Sequence, residues 1–197
     1  MLVLIGVPTA NYVEPETLKA IYGLEDAGVD TSLDILYGFR IDVQRRLLCE
    51  EAVRIGADYL LMVDSDVVLP STALVDLLSP PADIVSGLVR IKSLRRKGDF
   101  AAVIPYDENR FVEFQKMPDQ DRFRIKRCGG ACLMIRTGIL EKIEEPWFEY
   151  HEESGHAISE DMWFCMQAEK AGIPIYADKR VKCGHIIKEQ YGFEEGF

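Results

Sequence analysis

The chain has 197 residues, of which 48% are hydrophobic and 28% charged, a balance typical of one soluble domain with a real core. Its 23 basic and 33 acidic side chains leave a net charge of −10, which argues against non-specific nucleic-acid binding because such binding needs a positive surface. The charge does not exclude an anionic substrate, since a bound metal ion can supply positive charge locally.

The amino-terminal segment and the cysteines both favour a cytoplasmic protein. Residues 2–7 are apolar but lack a preceding basic segment and are too short to span a bilayer, so they predict a buried strand. No stretch of about 18 apolar residues predicts a transmembrane segment elsewhere. The five cysteines include no Cys-x-x-Cys pair, and we expect reduced, mostly buried thiols.

The first 66 residues predict an alternation of strands and helices. Continuous apolar runs indicate the strands, and apolar residues recurring every three to four positions indicate the helices. The predicted elements are a strand at 2–7, a helix from Pro15 to Gly28, a strand at 33–36, a helix from Asp42 to Gly56 and a strand at 59–63. This alternation is typical of a parallel sheet covered by helices, on which ligands bind beyond the carboxyl ends of the strands.

The remaining residues predict shorter elements beside the same sheet. Residues 90–127 are interpreted as short antiparallel strands, including 111–114 and 123–125, with a mobile basic loop near 92–99. A turn at 128–131 precedes a strand. The other predicted elements are a helix at 71–78 capped by Ser71, strands at 84–87, 132–135 and 181–185, a short helix at 137–143, a helix at 160–171 capped by Ser159, and a loose tail after Lys188.

Asp64 and Asp66 carry the strongest chemical signal. They directly follow the apolar strand at 59–63. Side chains at i and i+2 on an extended chain point the same way, so both carboxylates can face one ion. Oxygen ligands of this kind suit Mg²⁺ or Mn²⁺, commonly together with substrate phosphates. A plain turn after a strand, with Asp as a cap, is the alternative.

Four further sites are candidates, and each also has an ordinary structural explanation. Glu160 and Asp161 open a helix, where acidic side chains also suit the helix dipole. His185 ends an apolar stretch, and a neutral imidazole beside two carboxylates would complete a Mn²⁺ site. Arg45 matches phosphate geometry but an exposed arginine is usually solvated. Gly129 and Gly130 allow a close backbone approach or simply form a turn.

The order of these pieces resembles that of the GT-A glycosyltransferases, especially compact family-two-like members, over nearly the whole chain. The stretch Ala57–Asp66 resembles the family's apolar strand ending in Asp-Ser-Asp most closely. Residues 41–46 are similar to its Asp-x-Ala-Arg-Asn segment, with Gln44 and Arg46 in place of Ala and Asn. The other matching pieces are the strand running into Val7-Pro8-Thr9, the glycine-bearing strand at 128–136, Ser159-Glu160-Asp161 and Gly184-His185.

The resemblance implies an α/β fold of GT-A type, with a mixed, mostly parallel sheet flanked by helices. It implies one domain over residues 1–197, with a nucleotide-binding half (1–87) and an acceptor half (88–197). The implied metal ligands of Mn²⁺ or Mg²⁺ are Asp64, Asp66 and His185. The implied donor-binding residues are Pro8, Thr9, Asp34, Arg45, Asp64 and Ser65, the catalytic residues are Asp161 as base with Glu160, and the acceptor-binding residues are Gly129 and Gly130.

The expected function is therefore metal-dependent transfer of a sugar from a nucleoside-diphosphate sugar to an acceptor hydroxyl, on a small molecule or a glycan. Three alternatives remain. In a haloacid-dehalogenase-type phosphatase, Asp64 would be the nucleophile and Asp66 the acid/base. A nucleotidyltransferase would need a glycine-rich loop that Val7–Ala10 lacks. A non-catalytic module would bind the nucleotide sugar without transferring it.

Overall fold

The computed structural model of the protein describes residues 1–91, 100–153 and 155–187. Four α-helices are described: α1 (Pro15–Tyr22), α2 (Ile41–Arg54), α3 (Ala73–Leu78) and α4 (Glu160–Lys170). Short 3-10 helices lie at Phe114–Lys116 and Thr137–Lys142. The strands are β1 (Leu2–Pro8), β2 (Asp30–Leu36), β3 (Tyr59–Val63), β4 (Val67–Val68), β5 (Ile84–Val89), β6 (Val103–Pro105), β7 (Arg122–Cys128), β8 (Cys132–Arg136), β9 (His151–Glu153), β10 (His156–Ile158) and β11 (Ile175–His185).

One sheet holds all the described strands except the β9–β10 hairpin. Its order is β2-β1-β3-β8-β5-β11-β7-β6, and β4 adds to β11. β1 pairs in parallel with β2 and β3, and β5 with β11, while β8 and β7 run against their neighbours. The mixed, mostly parallel α/β sheet predicted from the sequence is confirmed. β5 crosses the predicted boundary at residue 87, and β8 inserts between β3 and β5, so the two halves share this sheet.

Both faces of the sheet are covered, which explains the continuous apolar runs. In β3, Leu60 and Met62 face the layer of α2 and α4, whereas Leu61 and Val63 face the layer of α1 and α3. A strand buried on both sides cannot alternate apolar with polar residues. All five residues of β3 are buried. The residues that directly follow β3 lie at the carboxyl edge of the sheet.

Three helix boundaries differ from the prediction. α3 begins at Ala73 with Thr72 as its N-cap residue, so the predicted cap at Ser71 is wrong, and the Ser71 hydroxyl donates to Glu25 instead. α1 ends at Tyr22 because the Gly23 amide donates to carbonyls of the last turn, and Gly28 instead forms a left-handed turn (φ 67°) before β2. Asp42 does not cap α2, since Arg40 is the N-cap residue and Asp42 lies in the first turn. The two carboxylate oxygens of Asp42 accept hydrogen bonds from Arg40 at 2.7 and 2.5 Å.

The predicted strand at 111–114 is wrong. This segment makes an isolated bridge between Phe100 and Glu113 and then enters a 3-10 helix. Its apolar residues Val112 and Phe114 pack against the core, but the segment has no continuous partner strand. Packing against the core therefore produces an apolar spacing like that of a strand. The basic loop near 92–99 and the tail after Lys188 lie outside the described residues.

Among the described helices, none has the length and hydropathy needed to span a bilayer.

Candidate active site

The residues that follow β1 and β3 meet at one edge of the sheet. They line a cleft of about 240 Å³, which we call the edge cleft. Four of the predicted donor-binding residues are among its walls, namely Pro8, Thr9, Asp64 and Ser65, together with Asp66. The other lining residues are Ala10, Phe39, Ile41 and Gln44. Asp34 does not line it and lies within electrostatic reach of Arg54, the last residue of α2.

Backbone hydrogen bonds fix the turn from Asp64 to Val67. The Asp64 amide donates to the carbonyl of Ala131 at 3.0 Å, which ties the end of β3 to the start of β8. The Val67 amide donates back to the Asp64 carbonyl at 3.0 Å. The carbonyl of Ser65 accepts from the Glu14 amide at 2.8 Å. The two aspartates are therefore held on a short, bonded turn.

Asp66 and His185 are neighbours although they are distant in sequence. β11 pairs with β4, which places His185 opposite Val67, and the Ile186 amide donates to the Asp66 carbonyl at 2.9 Å. The Nε2 atom of His185 lies 3.4 Å from Oδ1 of Asp66. His185 Nδ1 lies 2.7 Å from the carbonyl oxygen of Arg90, which can only accept, so Nδ1 carries the proton. In the neutral ring, the Nε2 lone pair then faces a carboxylate.

This pair fits a divalent cation only in part. In the described ranges, no three His, Cys, Asp or Glu side chains are grouped so as to hold a metal. Asp64 Oδ1 already accepts from Arg45 at 2.9 Å. Asp66 and His185 offer one oxygen and one nitrogen, and a Nδ1–H bond to a carbonyl is the usual support for a metal-bound histidine. A cation there would take its remaining ligands from a bound substrate and water.

Arg45 is buried beneath the edge cleft and is not available to a ligand. Only 2% of the residue is exposed. Its guanidinium donates to Asp64 at 2.9 Å, to Glu160 at 3.2 Å and to the Gly130 carbonyl at 2.9 Å. Burial lowers the pKa of Arg45, but the nearby carboxylates outweigh burial and raise it, so the group stays charged. We therefore assign Arg45 a positioning role in place of the predicted direct contact with the donor.

Gly130 is a glycine because Arg45 occupies the place of a side chain. A Cβ atom there would lie 2.6 Å from Cζ of Arg45. At Gly129 a Cβ would meet only ordinary contacts, the nearest being Ala102 Cβ at 3.4 Å. The structure thus gives Gly130 a packing explanation that the sequence did not offer, and contact of either glycine with an acceptor remains a prediction.

Glu160 and Asp161 point to different surroundings. Glu160 is buried and accepts from Arg45; burial, then the charge of Asp161, raises the pKa of Glu160 against the opposing effect of Arg45. Asp161 is half-buried, and its Oδ2 accepts from the Gly130 amide at 3.3 Å. Its Oδ1 accepts from the Met162 amide at 2.7 Å and from the Ser159 hydroxyl. Ser159 precedes α4 as predicted, but its hydroxyl binds Asp161 and not a backbone amide.

Gln44 lines the edge cleft but was not among the residues that the sequence predicted for the site. It is buried, and its Oε1 accepts from the Thr9 amide at 2.8 Å. Its Nε2 donates to the Thr9 carbonyl at 3.1 Å and to the Phe39 carbonyl at 2.5 Å. Gln44 therefore ties two loops of the edge cleft to α2. The signal was its place four residues before Leu48, which puts it on the buried face of the helix.

Known structures resemble this one in fold, although no family model and no curated protein matches the sequence. The structure titled A197 from STIV aligns with a TM-score of 0.70 at 21% identity, covering 95% of this chain and 87% of that one. GalNAc-T7 with UDP, GalNAc and Mn²⁺ aligns with a TM-score of 0.62 at 9% identity, covering 94% and 44% respectively.

This is a GT-A-like fold. The UDP-glucose pyrophosphorylase structure, complexed with UDP-glucose, also aligns with a TM-score of 0.55 at 8% identity, covering 93% of this chain and 92% of that one. The GT-A-like fold is thus shared with a protein solved with UDP, GalNAc and Mn²⁺ and with one solved with UDP-glucose. At these identities the likeness establishes the fold alone.

Proposed function

We propose that the protein is a metal-dependent glycosyltransferase that moves a sugar from a nucleoside-diphosphate sugar to an acceptor hydroxyl. The observation that carries the proposal is that Asp66, which lines the edge cleft, lies 3.4 Å from His185, whose ring is oriented by the Arg90 carbonyl. Two fold neighbours are titled as complexes with UDP, GalNAc and Mn²⁺ and with UDP-glucose, which supports a nucleotide-sugar ligand.

Asp66 and His185 would bind Mn²⁺ or Mg²⁺ together with the diphosphate of the donor. When bound, the ion stabilises the negative charge that develops on the diphosphate leaving group. Pro8, Thr9 and Ser65 would contact the nucleoside part, because they line the same cleft. Asp64 lines the same cleft and would also contact the donor, with its orientation fixed by the hydrogen bond from Arg45.

Asp161 would act on the acceptor. In an inverting reaction it takes the proton of the acceptor hydroxyl, whose oxygen bonds to the sugar C1 as the bond from C1 to the diphosphate breaks. In a retaining reaction the same carboxylate orients the acceptor. Glu160 would act as a positioning residue and not as a proton carrier, because its carboxylate is directed to the buried Arg45.

Isothermal titration with UDP and GDP, with and without Mn²⁺, tests the metal assignment. We expect Asp66→Ala to weaken Mn²⁺-dependent binding at least tenfold, because one of two protein ligands is lost. Asp107→Ala removes an exposed aspartate outside the edge cleft and is the matched control. Circular dichroism must match wild type for both variants. Unchanged nucleotide affinity in Asp66→Ala would contradict the proposal.

The products separate the proposal from its alternatives. A glycosyltransferase releases a nucleoside diphosphate and yields a glycosylated acceptor, and Asp161→Asn should bind the donor but lose transfer. A phosphatase of the haloacid-dehalogenase type would release phosphate from an aryl phosphate. A nucleotidyltransferase would release pyrophosphate from a nucleoside triphosphate, and a binding module would leave every donor intact.

A further inference from the structure

A second cavity lies beside β6, at the end of the sheet opposite β2. It encloses about 430 Å³, which is the size of many small-molecule sites, and we call it the outer pocket. Its walls come from Phe100, from the end of β6 and from the segment between β6 and β7. The described residues that line it include none of the predicted site residues, so the proposed function gives this cavity no role.

Backbone hydrogen bonds hold the walls of the outer pocket together. The Ala101 amide donates to the Val112 carbonyl at 3.0 Å, and the Val112 amide donates to the Val103 carbonyl at 3.1 Å. Phe100 and Glu113 form a bridge between the same two segments. The fold itself therefore forms the pocket, which lowers the free-energy cost of ordering it around a ligand.

The apolar part of the outer pocket consists largely of rings. Phe100, Pro105 and Phe111 line it and are each half-buried, so part of their surface is accessible to a ligand. The face of an aromatic ring carries partial negative charge and attracts groups with partial positive charge. The C–H groups on one face of a sugar ring are of this kind, so the two phenylalanines suit a sugar.

The charged part of the outer pocket favours a neutral ligand with many hydroxyl groups. Lys116 Nζ lies 2.9 Å from a carboxylate oxygen of Glu113, and Arg110 Nε lies 3.8 Å from one of Glu108. With Asp107, the acids outnumber the bases by three to two, which disfavours a phosphate or another anion. A purely apolar ligand would remove water from five charged groups at high cost, whereas hydroxyl groups can bond to them.

The outer pocket lies close to the predicted base and acceptor glycines. A Cβ atom at Gly129 would lie 3.7 Å from Oδ2 of Asp161 and 3.4 Å from Cβ of Ala102. The Gly129 amide also donates to the Ala102 carbonyl at 2.8 Å. Phe100 is only two residues before Ala102, and two residues span at most about 7 Å. A ligand of a few sugar units is therefore long enough to reach from Asp161 to the outer pocket.

We propose that the outer pocket binds a sugar unit of a neutral oligosaccharide acceptor, whose terminal hydroxyl then lies at Asp161. The role of Asp161 in this inference rests on the proposed function, but binding of the sugar in the pocket does not. Contacts to a distant unit of the acceptor hold the reacting hydroxyl in place. The protein should consequently bind an oligosaccharide better than a monosaccharide.

Isothermal titration without nucleotide or metal tests binding in the outer pocket. The probes are neutral trisaccharides of glucose, mannose, galactose and N-acetylglucosamine, compared with the four monosaccharides. At least one trisaccharide should bind, and more tightly than its monosaccharide. Phe111→Ala should weaken that binding about two- to tenfold because a stacking ring is lost, whereas Phe111→Tyr keeps the ring and should retain it.

Two further variants make the test specific to this cavity. Lys116→Ala removes an exposed side chain that folding does not need, and it should also weaken trisaccharide binding. Tyr22→Ala removes an exposed aromatic ring from α1, outside the outer pocket, and should bind as wild type does. Absence of binding across the whole panel, or wild-type affinity in both Phe111→Ala and Lys116→Ala, would overturn the proposal.

The two proposals fail in different ways. Asp66→Ala should bind the trisaccharide normally, and Phe111→Ala should bind UDP with Mn²⁺ normally. Trisaccharide binding without any sugar transfer would contradict the proposed function and leave the outer pocket as a sugar site. Sugar transfer without trisaccharide binding would contradict only the present inference. Where transfer occurs, Phe111→Ala should raise KM for the trisaccharide and leave KM for the donor unchanged.

Discussion

At the scale of single residues, Arg45 decides the arrangement of the candidate site. A buried charge costs several kcal/mol unless it is paired and hydrogen-bonded, and here Asp64 and Glu160 share one guanidinium. Asp64 directly follows β3 and Glu160 begins α4, so Arg45 of α2 fixes the relative positions of these two elements. The carbonyl of Gly130 completes the set, so the turn between β7 and β8 is fixed by the same side chain.

Gly130→Ala should destabilise the protein by about 1–3 kcal/mol, because the added methyl group would overlap Arg45 and force it to move. Urea unfolding measures the change. Gly138→Ala is the control, since a Cβ there has no atom within 4 Å, and its stability should stay within about 0.5 kcal/mol of wild type. Equal stability of the two variants would contradict the packing explanation.

The sequence predicted the residues of the site better than their partners. The i, i+2 spacing placed Asp64 and Asp66 together at the end of a strand, and both line the edge cleft. Spacing could not indicate that Arg45 is buried, since an arginine is buried only when partners from distant elements surround it. Only the family resemblance implied that His185 lies near Asp66, because no local sequence pattern links residues so far apart.

At the scale of elements, α2 holds the loops of the edge cleft in place through hydrogen bonds. Gln44 binds both polar backbone atoms of Thr9 after β1 and the Phe39 carbonyl before α2. One buried side chain therefore holds the loops on both sides of the cleft. Without it, the carbonyls of Thr9 and Phe39 would lose a donor in a region partly closed to water.

Gln44→Met should lower stability by about 1–3 kcal/mol, because it leaves buried polar atoms without their partner. Hydrogen–deuterium exchange should accelerate at residues 9–12 and 37–40 and stay unchanged in β8. Glu50→Gln changes an exposed position of the same helix and should leave both stability and exchange near wild type. Wild-type exchange in Gln44→Met would rule out this role.

Elements buried on one or two faces were predictable, and irregular ones were not. β3 was predicted from its continuous apolar run, α2 from the apolar residues that recur along one face, and α4 from the Ser159 cap at its start. The apolar residues of the segment at 111–114 are also typical of a strand. A strand forms only beside a neighbouring strand, however, and the sequence of the segment does not reveal its neighbours. The order of β8, β5 and β11 was equally inaccessible, because register and neighbours are set by the assembled sheet.

At the scale of the whole molecule, a cluster of ion pairs and hydrogen bonds links β11, β7 and α3. Asp178 in β11 is fully buried and binds Arg122 of β7 at 2.9 Å and Arg180 at 2.6 Å. Both arginines also donate to the carbonyl of Asp76 in α3. Burial raises the pKa of Asp178, but hydrogen bonds from the two arginines outweigh burial and lower it.

A lowered pKa in the folded state makes Asp178 stabilising above the ordinary aspartate value of about 3.9. That contribution is lost as pH falls below this value and through the folded pKa. Asp178→Asn should therefore be less stable than wild type by about 3–5 kcal/mol at pH 7. The difference should shrink steadily below about pH 4 in urea unfolding. A difference independent of pH would contradict the assignment.

The position of β11 has a consequence for how the chain folds. It is the last strand of the described chain, yet it lies between β5 and β7 and carries Asp178, Cys183 and His185. Strands β2, β1, β3, β8 and β5 can pair as they leave the ribosome, but β7 and β6 stay detached until β11 arrives. We expect a slow final step, because such distant pairing closes a long loop. The contact between Asp66 and His185 should form only in that step. During synthesis, the candidate site therefore stays incomplete until β11 inserts between β5 and β7.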